Sequence, residues 1–447
     1  VVNRILRNSK PLENAVCLPV SGSFLYVVLD MVQPLTFERF STLYESLLSI
    51  IVNDFGGDVS HMTTDGMLVF FDREKTSEST LTLMVRAIRL ACVLRDRTAA
   101  TRDELCVRFG VARGDASALF VGGVNALWHV LLAGTPLASA YVCAYACADH
   151  GSIVLDEDDW MQIRHHAPSV SARPVVGHAA HLCALRGEFN ALSSKPIKIR
   201  DKTGELDARL QRRLDIMHDI RLALHCYVFP VVARHLRSAE SAWLSDVRTV
   251  CVVTLRFTGL RYDAAHVAEL HNTISMVQTL ANHYGGTLVG VWQESTDTVA
   301  RVVFGLPPVF IEVLPPHAID MALQVLRALH RGAAYVDARV GVSTGRLTSG
   351  IVSCTTRKTY FMHGIVWQRS DALSRAAEMH SVLACEATMH NLEGFTATAV
   401  PPIPLHIDDT DIARQLNNND NNTNVPNTRS TSTTTSSSSS TNNNNKN

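Results

Sequence analysis

The sequence lacks the features that most readily declare a function. No apolar run approaches the roughly 20 residues of a membrane-spanning helix, and the N-terminal VVNRILRNSKPLENAV has no apolar stretch of the kind that heads a secretory signal. No membrane span is therefore expected. Charge of one sign is missing too: 41 Lys and Arg stand against 42 Asp and Glu, a formal net charge of −1, so neither nucleic acid nor an anionic membrane surface is expected as a partner. The ten cysteines show no CxxC pair. Cys92, Cys143, Cys147 and Cys251 fall inside apolar periodic segments, which predicts reduced, buried thiols and a cytoplasmic protein. Gly122-Gly123 is not followed by the Lys and Ser/Thr of a P-loop and reads as a turn. His165, His166, His178 and His181 have no Cys or carboxylate at the spacing that completes a four-ligand zinc set, and read as loop histidines. The chain starts without Met, as a fragment or an imperfect gene model would.

What is present is enough apolar residue, 46%, for packed interiors, in a chain of 447 residues that is long enough for two domains. The organising stretch is residues 25–71. An apolar run ends in Asp30, and Pro34-Leu35-Thr36 marks the start of a helix. Phe37, Phe40, Tyr44, Leu47, Leu48 and Ile51 then recur at three- and four-residue steps, and Gly56-Gly57 ends the helix. Strands at 59–62 and 67–71 flank a turn that carries Thr63, Thr64 and Asp65. A helix over 81–94 and a strand over 106–112 come next, then a Gly-rich return around Gly114 and Gly122-Gly123. A strand at 129–133, a helix from about 136 to 148 and a strand at 152–155 complete the unit, which continues as a polar, His-rich segment over 156–200.

The same order recurs after a predicted connecting helical stretch over 203–244. The second pass has a strand at 248–257, a helix at 264–284 ended by Gly285-Gly286, and a hairpin over 287–291 and 299–305. A helix at 318–329, a strand at 338–344, glycines 345 and 350, a strand at 359–362 and a helix at 369–379 follow. The expected fold class is α+β, two ferredoxin-like βαββαβ units arising by internal duplication. Expected boundaries are an N-terminal extension over 1–19, a first unit over 20–200, a helical linker over 201–246, a second unit over 247–405 and a tail over 406–447. The Asn/Ser/Thr-rich tail cannot bury enough apolar surface to offset its chain entropy, and is expected to be disordered.

Asp30 and Asp65 both stand at strand ends. Either alone is explained as a helix-start or turn residue. As a pair they suit a hard divalent cation, which is held by one or two carboxylates together with substrate phosphates.

Four groups of residues carry a family resemblance: FGGDVSHMTTDGMLVFF; RFGVARGDASALFVGG with HVLLAGTPLASAYVCA; NHYGGTLVGVW with VVFGLP; and RVGVSTGRLTSGIVSCTTRKTYFMHGIVWQRSDALSRAAE. In this order, and twice over, they resemble the class III nucleotidyl cyclases, in particular the tandem catalytic pair of the soluble, bicarbonate-responsive adenylyl cyclases. The likeness covers roughly residues 20–405. It implies that the two units pair as an intramolecular pseudo-dimer with ATP between them, converted with two Mg²⁺ or Mn²⁺ ions to 3′,5′-cyclic AMP and pyrophosphate. Asp30 and Asp65 fall at the metal positions. Leu35 and Thr36 fall in the phosphate-contacting turn, and Thr64 stands where Gly is usual before the second Asp.

In the second unit the adenine-reading Lys falls at Gly290 or Val289, and the polar residue expected after Tyr360 is Phe361. The ribose-directed Asn is Gln368. The transition-state Arg is Ala372, with Arg369 or Arg375 available if the helix start is shifted. The bicarbonate-site Lys falls at His61 and its Arg at Tyr141, so bicarbonate sensitivity is not implied. The resemblance leaves room for an ATPase-like region downstream of this chain. A rival expectation is a degenerate cyclase pair acting as a nucleotide-binding or regulatory module, motivated by Gly290, Phe361 and Ala372. A third is a scaffold that binds no nucleotide.

Overall fold

The computed structural model describes residues 14–31, 37–63, 65–101, 103–166, 170–175, 181–186, 226–228, 246–307, 309–332, 336–354, 357–390, 392 and 394–401. Strand β1 (Val16–Met31) is apolar on both faces: Leu25, Val27 and Leu29 enter one core, and Phe24, Tyr26 and Val28 another. A strand buried on both sides belongs inside a sheet. Accordingly β1 lies between β3 (Gly66–Asp72) and β4 (Leu105–Gly122), antiparallel to both. With β2 (Asp58–Met62), β5 (Trp128–Ala133), β6 (Ile153–Asp156), β7 (Ser171–Pro174) and β8 (Leu182–Arg186), the sheet order is β2-β3-β1-β4-β6-β8-β7, with β5 paired to β4.

Helices α1 (Phe37–Ser49) and α2 (Thr80–Thr98) cover one face. Phe40, Tyr44, Leu47 and Leu48 from α1 and Leu83, Ala87, Leu90, Ala91 and Leu94 from α2 meet Leu25, Val27 and Leu29. The Ser79 hydroxyl starts α2 by accepting the Thr82 amide at 3.1 Å. Helix α3 (Thr135–Tyr145), opened by Pro136, covers the other face with Leu137, Ala140, Tyr141, Ala144 and Tyr145.

The second sheet repeats the plan. Its order is β10 (Gly286–Glu294), β11 (Asp297–Phe304), β9 (Asp246–Thr258), β12 (Asp337–Cys354) and β13 (Arg357–His363), with the short β14 (Val382–Ala384) parallel to β12. Helices α4 (Val267–His283) and α5 (Leu314–Arg331) pack on one face, and α6 (Ile365–Ala376) on the other. One detail shows how closely the plan is repeated. A Cβ placed on Gly110 of β4 would lie 1.9 Å from the Ala140 carbonyl oxygen and 2.3 Å from the Ala144 nitrogen of α3; on Gly341 of β12 it would lie 2.1 Å from the Ser370 oxygen and 2.3 Å from the Ser374 nitrogen of α6. The same helix backbone rests on the same strand glycine in both halves.

Two expectations about elements are corrected. Gly114 does not return the chain: β4 runs unbroken from Leu105 to Gly122, with Gly114 opposite Gly22 in β1. Gly345 and Gly350 likewise lie inside the unbroken β12. In both strands a long antiparallel partner satisfies the backbone through the glycine, which the local sequence cannot reveal. The polar stretch after residue 156 supplies two further strands, β7 and β8, that extend the first sheet. The predicted connecting helix lies largely, and the predicted tail wholly, outside the described residues.

The halves meet through shared cores. Phe361 and Val352, from β13 and β12, belong to the core of the first half, where Phe361 stacks on Phe40 at 4.8 Å. Leu119, Val121, Leu131 and Ala133, from β4 and β5, belong to the core of the second. Around these apolar contacts the Gln278 carbonyl accepts the Val124 amide at 3.3 Å while its NH₂ donates to the Leu127 oxygen at 2.9 Å. The Gln293 carbonyl accepts the Gly134 amide at 2.7 Å, and Arg357 pairs with Asp58 at 3.0 Å. No helix among the described residues is long and apolar enough to cross a membrane.

Candidate functional site

The antiparallel pairing of β1 with β3 carries Asp30 and Asp65 to the same end of the first sheet. In the register Val28 faces Gly66, so the strand end and the hairpin tip are neighbours. The Leu29 amide donates to the Asp65 carbonyl at 2.7 Å, which fastens the tip to the strand. The turn itself is closed by the Thr63 amide on the Gly66 oxygen at 2.8 Å and held from α1 by the Tyr44 hydroxyl, which donates to the Thr63 carbonyl at 3.1 Å. The Asp30 carboxylate is 31% exposed and forms an ion pair with the buried Arg108 guanidinium of β4, which also lies over the Tyr145 ring at 5.0 Å. Burial raises the pKa of Asp65; the Asp371 carboxylate raises it further, and the Arg375 guanidinium acts against both. Asp65 of the first half is thus within electrostatic reach of α6 of the second.

On the second half's side stands a buried quintet. Arg256 of β9 donates through Nη2 to Glu294 of β10 at 2.6 Å and to Asp371 of α6 at 2.8 Å. Arg375 of α6 reaches the same two carboxylates, at 3.2 Å and 2.6 Å. Arg301 of β11 lies 3.4 Å from Asp371, donates to the Thr254 hydroxyl at 3.1 Å, and is sandwiched between the Trp292 and Trp367 rings at 4.7 Å and 4.3 Å. Burial alone would raise the pKa of Glu294, but the Arg256 and Arg375 guanidiniums and the Trp292 indole N–H at 2.8 Å hold it far below the usual carboxylate range. Three guanidiniums stand against two carboxylates in the quintet, and at Asp65 the Asp371 and Glu294 carboxylates together act against Arg375. Tyr26 and Tyr141 of the first half border this region, their rings 5.1 Å apart. Burial, with Glu294 next, raises the pKa of both.

The other expected site residues are distributed as follows. Leu35, Thr36 and Thr64 lie outside the described residues. Gly290 sits at an irregularity of β10, and a Cβ there would stand 3.2 Å from the Trp292 ring, which covers the position. Phe361 is 2% exposed and packs on Phe40 and Tyr44. Gln368 and Arg369 are half-buried in the first turns of α6, and Ala372 is buried. Arg375, three residues beyond Ala372, is the arginine of α6 that shares carboxylates with the quintet. His61 and Tyr141, at the two bicarbonate-site positions, are an imidazole stacked on Trp292 at 5.8 Å and a buried phenol. Sequence reasoning passed over Arg108, Arg256, Glu294, Arg301 and Asp371. The available signal was a charged residue at an inward position of an otherwise apolar strand, as in VVTLRF and TVARVVF.

Among the described residues no group of three His, Cys, Asp or Glu side chains could hold a metal ion. The donor set at Asp30 and Asp65 is two carboxylates, which fits Mg²⁺ or Mn²⁺ arriving with phosphate oxygens rather than an ion caged by protein alone.

Comparison with known proteins agrees with the fold. The sequence matches no family model and no curated protein. Among solved structures, a class III adenylyl cyclase-like ATP-binding protein from Pseudomonas aeruginosa is 13% identical with a TM-score of 0.50, and the match covers 88% of this chain and 92% of that one. The adenylyl cyclase CyaB of P. aeruginosa is 15% identical with a TM-score of 0.33 over 39% of this chain and 97% of its own. The guanylate cyclase domain of RhGC from Catenaria anguillulae is 15% identical with a TM-score of 0.30 over 33% of this chain and 85% of its own. The chain has the α+β, two-sheet architecture of class III cyclase-like proteins.

Proposed function

We propose that the chain is a class III cyclase-type pair whose two ferredoxin-like units, over 20–200 and 247–405, form an intramolecular pseudo-dimer of the soluble adenylyl cyclase kind. Its nucleotide site lies at the seam between them, and it converts ATP to 3′,5′-cyclic AMP and pyrophosphate in the cytoplasm. The observation that carries this reading is the tethering of Asp65 beside Asp30 at one end of the first sheet, where the Leu29 amide holds the Asp65 carbonyl at 2.7 Å. Asp30 and Asp65 would hold Mg²⁺ or Mn²⁺. Bound there, the divalent ion supplies neutralisation of the triphosphate and a lowered pKa for the ribose 3′-hydroxyl.

The chain's own residues do the rest. Arg108, already beside Asp30, and Arg375 place guanidinium charge on either side of the phosphates, where negative charge shifts as the 3′-oxygen bonds to the α-phosphorus and pyrophosphate leaves. Gln368 offers an amide to the ribose. The seam's apolar contacts exclude water that would otherwise compete with the 3′-oxygen. The ATP-binding name of the Pseudomonas protein with this fold supports ATP as the nucleotide.

A second reading, nucleotide binding without turnover in a regulatory role, is favoured by two specific observations. Phe361 fills its position with a buried, stacked ring, and Arg375 is committed to two carboxylates. The deciding experiment measures cyclic AMP and cyclic GMP formation with Mn²⁺-ATP and Mn²⁺-GTP beside calorimetric nucleotide binding, for the wild type and Asp65→Asn. Cyclic AMP abolished by Asp65→Asn supports the first reading. ATP binding without product supports the second, and no binding at all removes both.

A further inference from the structure

Helices α4 and α5 leave a groove of about 280 Å³ between them, on the face of the second half opposite α6. Its floor is apolar. Met276, Leu280 and Ala328 are half-buried there, and Met276 and Leu280 also pack against the core of that half. Along one wall stand Arg327 and Arg331, one helical turn apart on α5 and both exposed. Neither takes part in an ion pair among the described residues, and the other lining side chains, Thr279 and Gln324, are uncharged. An apolar floor beside two uncompensated guanidiniums suits an occupant that is apolar on one side and acidic on the other.

Exposed arginines are well served by water, so the charge alone selects nothing. The chain itself supplies the selection. Leu392 and Phe395 pack against the same core cluster as Met276 and Leu280, which brings the polypeptide to the α4 and α5 side of the second half. Thirteen residues beyond Phe395, Asp408, Asp409 and Asp411 are interleaved with Ile407, Ile412 and Leu416, against one basic side chain, Arg414. That length of chain spans up to about 45 Å, roughly the width of a domain of this size, so the groove is within its reach. The stretch 405–416 is apart in composition from the Asn-, Ser- and Thr-rich residues that follow it. The stretches 1–13, 187–225 and 229–245 each carry more basic than acidic side chains, and so offer the two arginines no such complement.

We propose that the groove between α4 and α5 is the docking surface for residues 405–416 of this same chain. Arg327 and Arg331 receive the Asp408, Asp409 and Asp411 carboxylates, and the apolar floor receives Ile412 and Leu416. The covalent tether supplies an effective concentration of roughly millimolar order, so a weak interface suffices. None of these residues belongs to the seam, and the proposal stands or falls independently of the nucleotide reading.

The test couples neighbouring charges in the full chain. In an Arg327→Lys/Arg331→Lys variant, which keeps both positive charges, a carbodiimide joins any contacting ammonium and carboxylate as an amide, and peptide mass spectrometry locates the joined residues. The expected result is coupling of position 327 or 331 to Asp408, Asp409 or Asp411 within one chain. It should exceed coupling of the same acids to the exposed Lys75 of the first half by at least about fivefold, a factor that two exposed ion pairs together supply. Raising salt from about 0.1 M to 1 M shortens screening from about 10 Å to about 3 Å and should remove most of the excess. A charge exchange gives a second reading: Arg327→Glu/Arg331→Glu combined with Asp408→Lys/Asp411→Lys should couple again, and Asp408→Lys/Asp411→Lys alone should not. Coupling no more abundant than that of Lys75 overturns the proposal. So does coupling found chiefly between chains in a mixture of isotopically labelled and unlabelled protein, which gives the groove to a second copy.

Discussion

Truncating Phe361 to Ala removes a ring that belongs by sequence to the second half and by packing to the first. The side chain is 2% exposed, its ring centroid 4.8 Å from that of Phe40 and 5.1 Å from that of Tyr44. Losing a buried phenyl group and leaving its cavity costs about 3–5 kcal/mol. At about 1 °C per kcal/mol for a cooperative unit of this size, the melting temperature falls by roughly 5 °C. Stacking contributes beyond buried area, so a double-mutant cycle with Phe40→Ala should show a coupling of about 1 kcal/mol. Phe361→Leu, which keeps most of the volume, should cost less than about 1.5 kcal/mol. The assay is guanidinium unfolding followed by far-ultraviolet circular dichroism and by tryptophan fluorescence. Trp160 reports on the first half, and Trp292 and Trp367 on the second, so single-tryptophan backgrounds separate the signals. Both signals should shift together. A loss below about 1 kcal/mol, or a shift confined to the second half, would refute the placement of Phe361 in a shared core.

Four further outcomes are expected. Gly110→Ala and Gly341→Ala each force a methyl group into helix backbone at 1.9–2.1 Å, and each should cost about 3 kcal/mol or prevent folding, read as melting temperature or soluble yield. Burial lowers the pKa of His61 and of His129 to about 4, so the folded state rejects protons that the unfolded chain takes up near pH 6.5. Stability present above pH 6.5 should therefore be lost as pH falls toward 4, by about 2 kcal/mol for His129 at pH 5 and somewhat less for the half-buried His61. A guanidinium midpoint that stays flat between pH 7 and 5 would count against both. Asp65 has the opposite sign: its raised pKa means that the ionised carboxylate opposes folding, so Asp65→Asn should melt higher than the wild type without metal while losing Mn²⁺-dependent ATP binding. Arg301→Met, which leaves Asp371 one cation short but keeps apolar contact with the two indoles, should cost about 3 kcal/mol in melting experiments.

Much of the framework was legible because its determinants are local. The apolar run ending in Asp30, the three- and four-residue steps from Phe40 to Ile51 and the paired Gly-Gly punctuation each point to one element, and their recurrence points to a duplication. The two acids could be placed at strand ends for the same reason. What the sequence hides is whatever depends on a partner strand or on the other half. Gly114 looks like a break until Gly22 is set opposite it, and Gly345 until β9 runs alongside. Phe361 reads as a lost polar group until Phe40 is found against it. The charge quintet draws on four separate elements, so no window of sequence contains it; only its single inward-facing arginines were visible, and one at a time.

The exchange of core residues between the halves bears on how such a chain can change over time. A duplicated unit that has lost its own chemistry would ordinarily be free to drift or to be deleted. Here the first half's interior is finished by Val352 and Phe361, and the second half's by Leu119, Val121, Leu131 and Ala133. A gene cut between the two sheets would yield two products, each with an apolar wall left open to water and prone to self-association. Cutting the chain there would therefore be expected to cost each half part of its interior, whatever chemistry the pair performs.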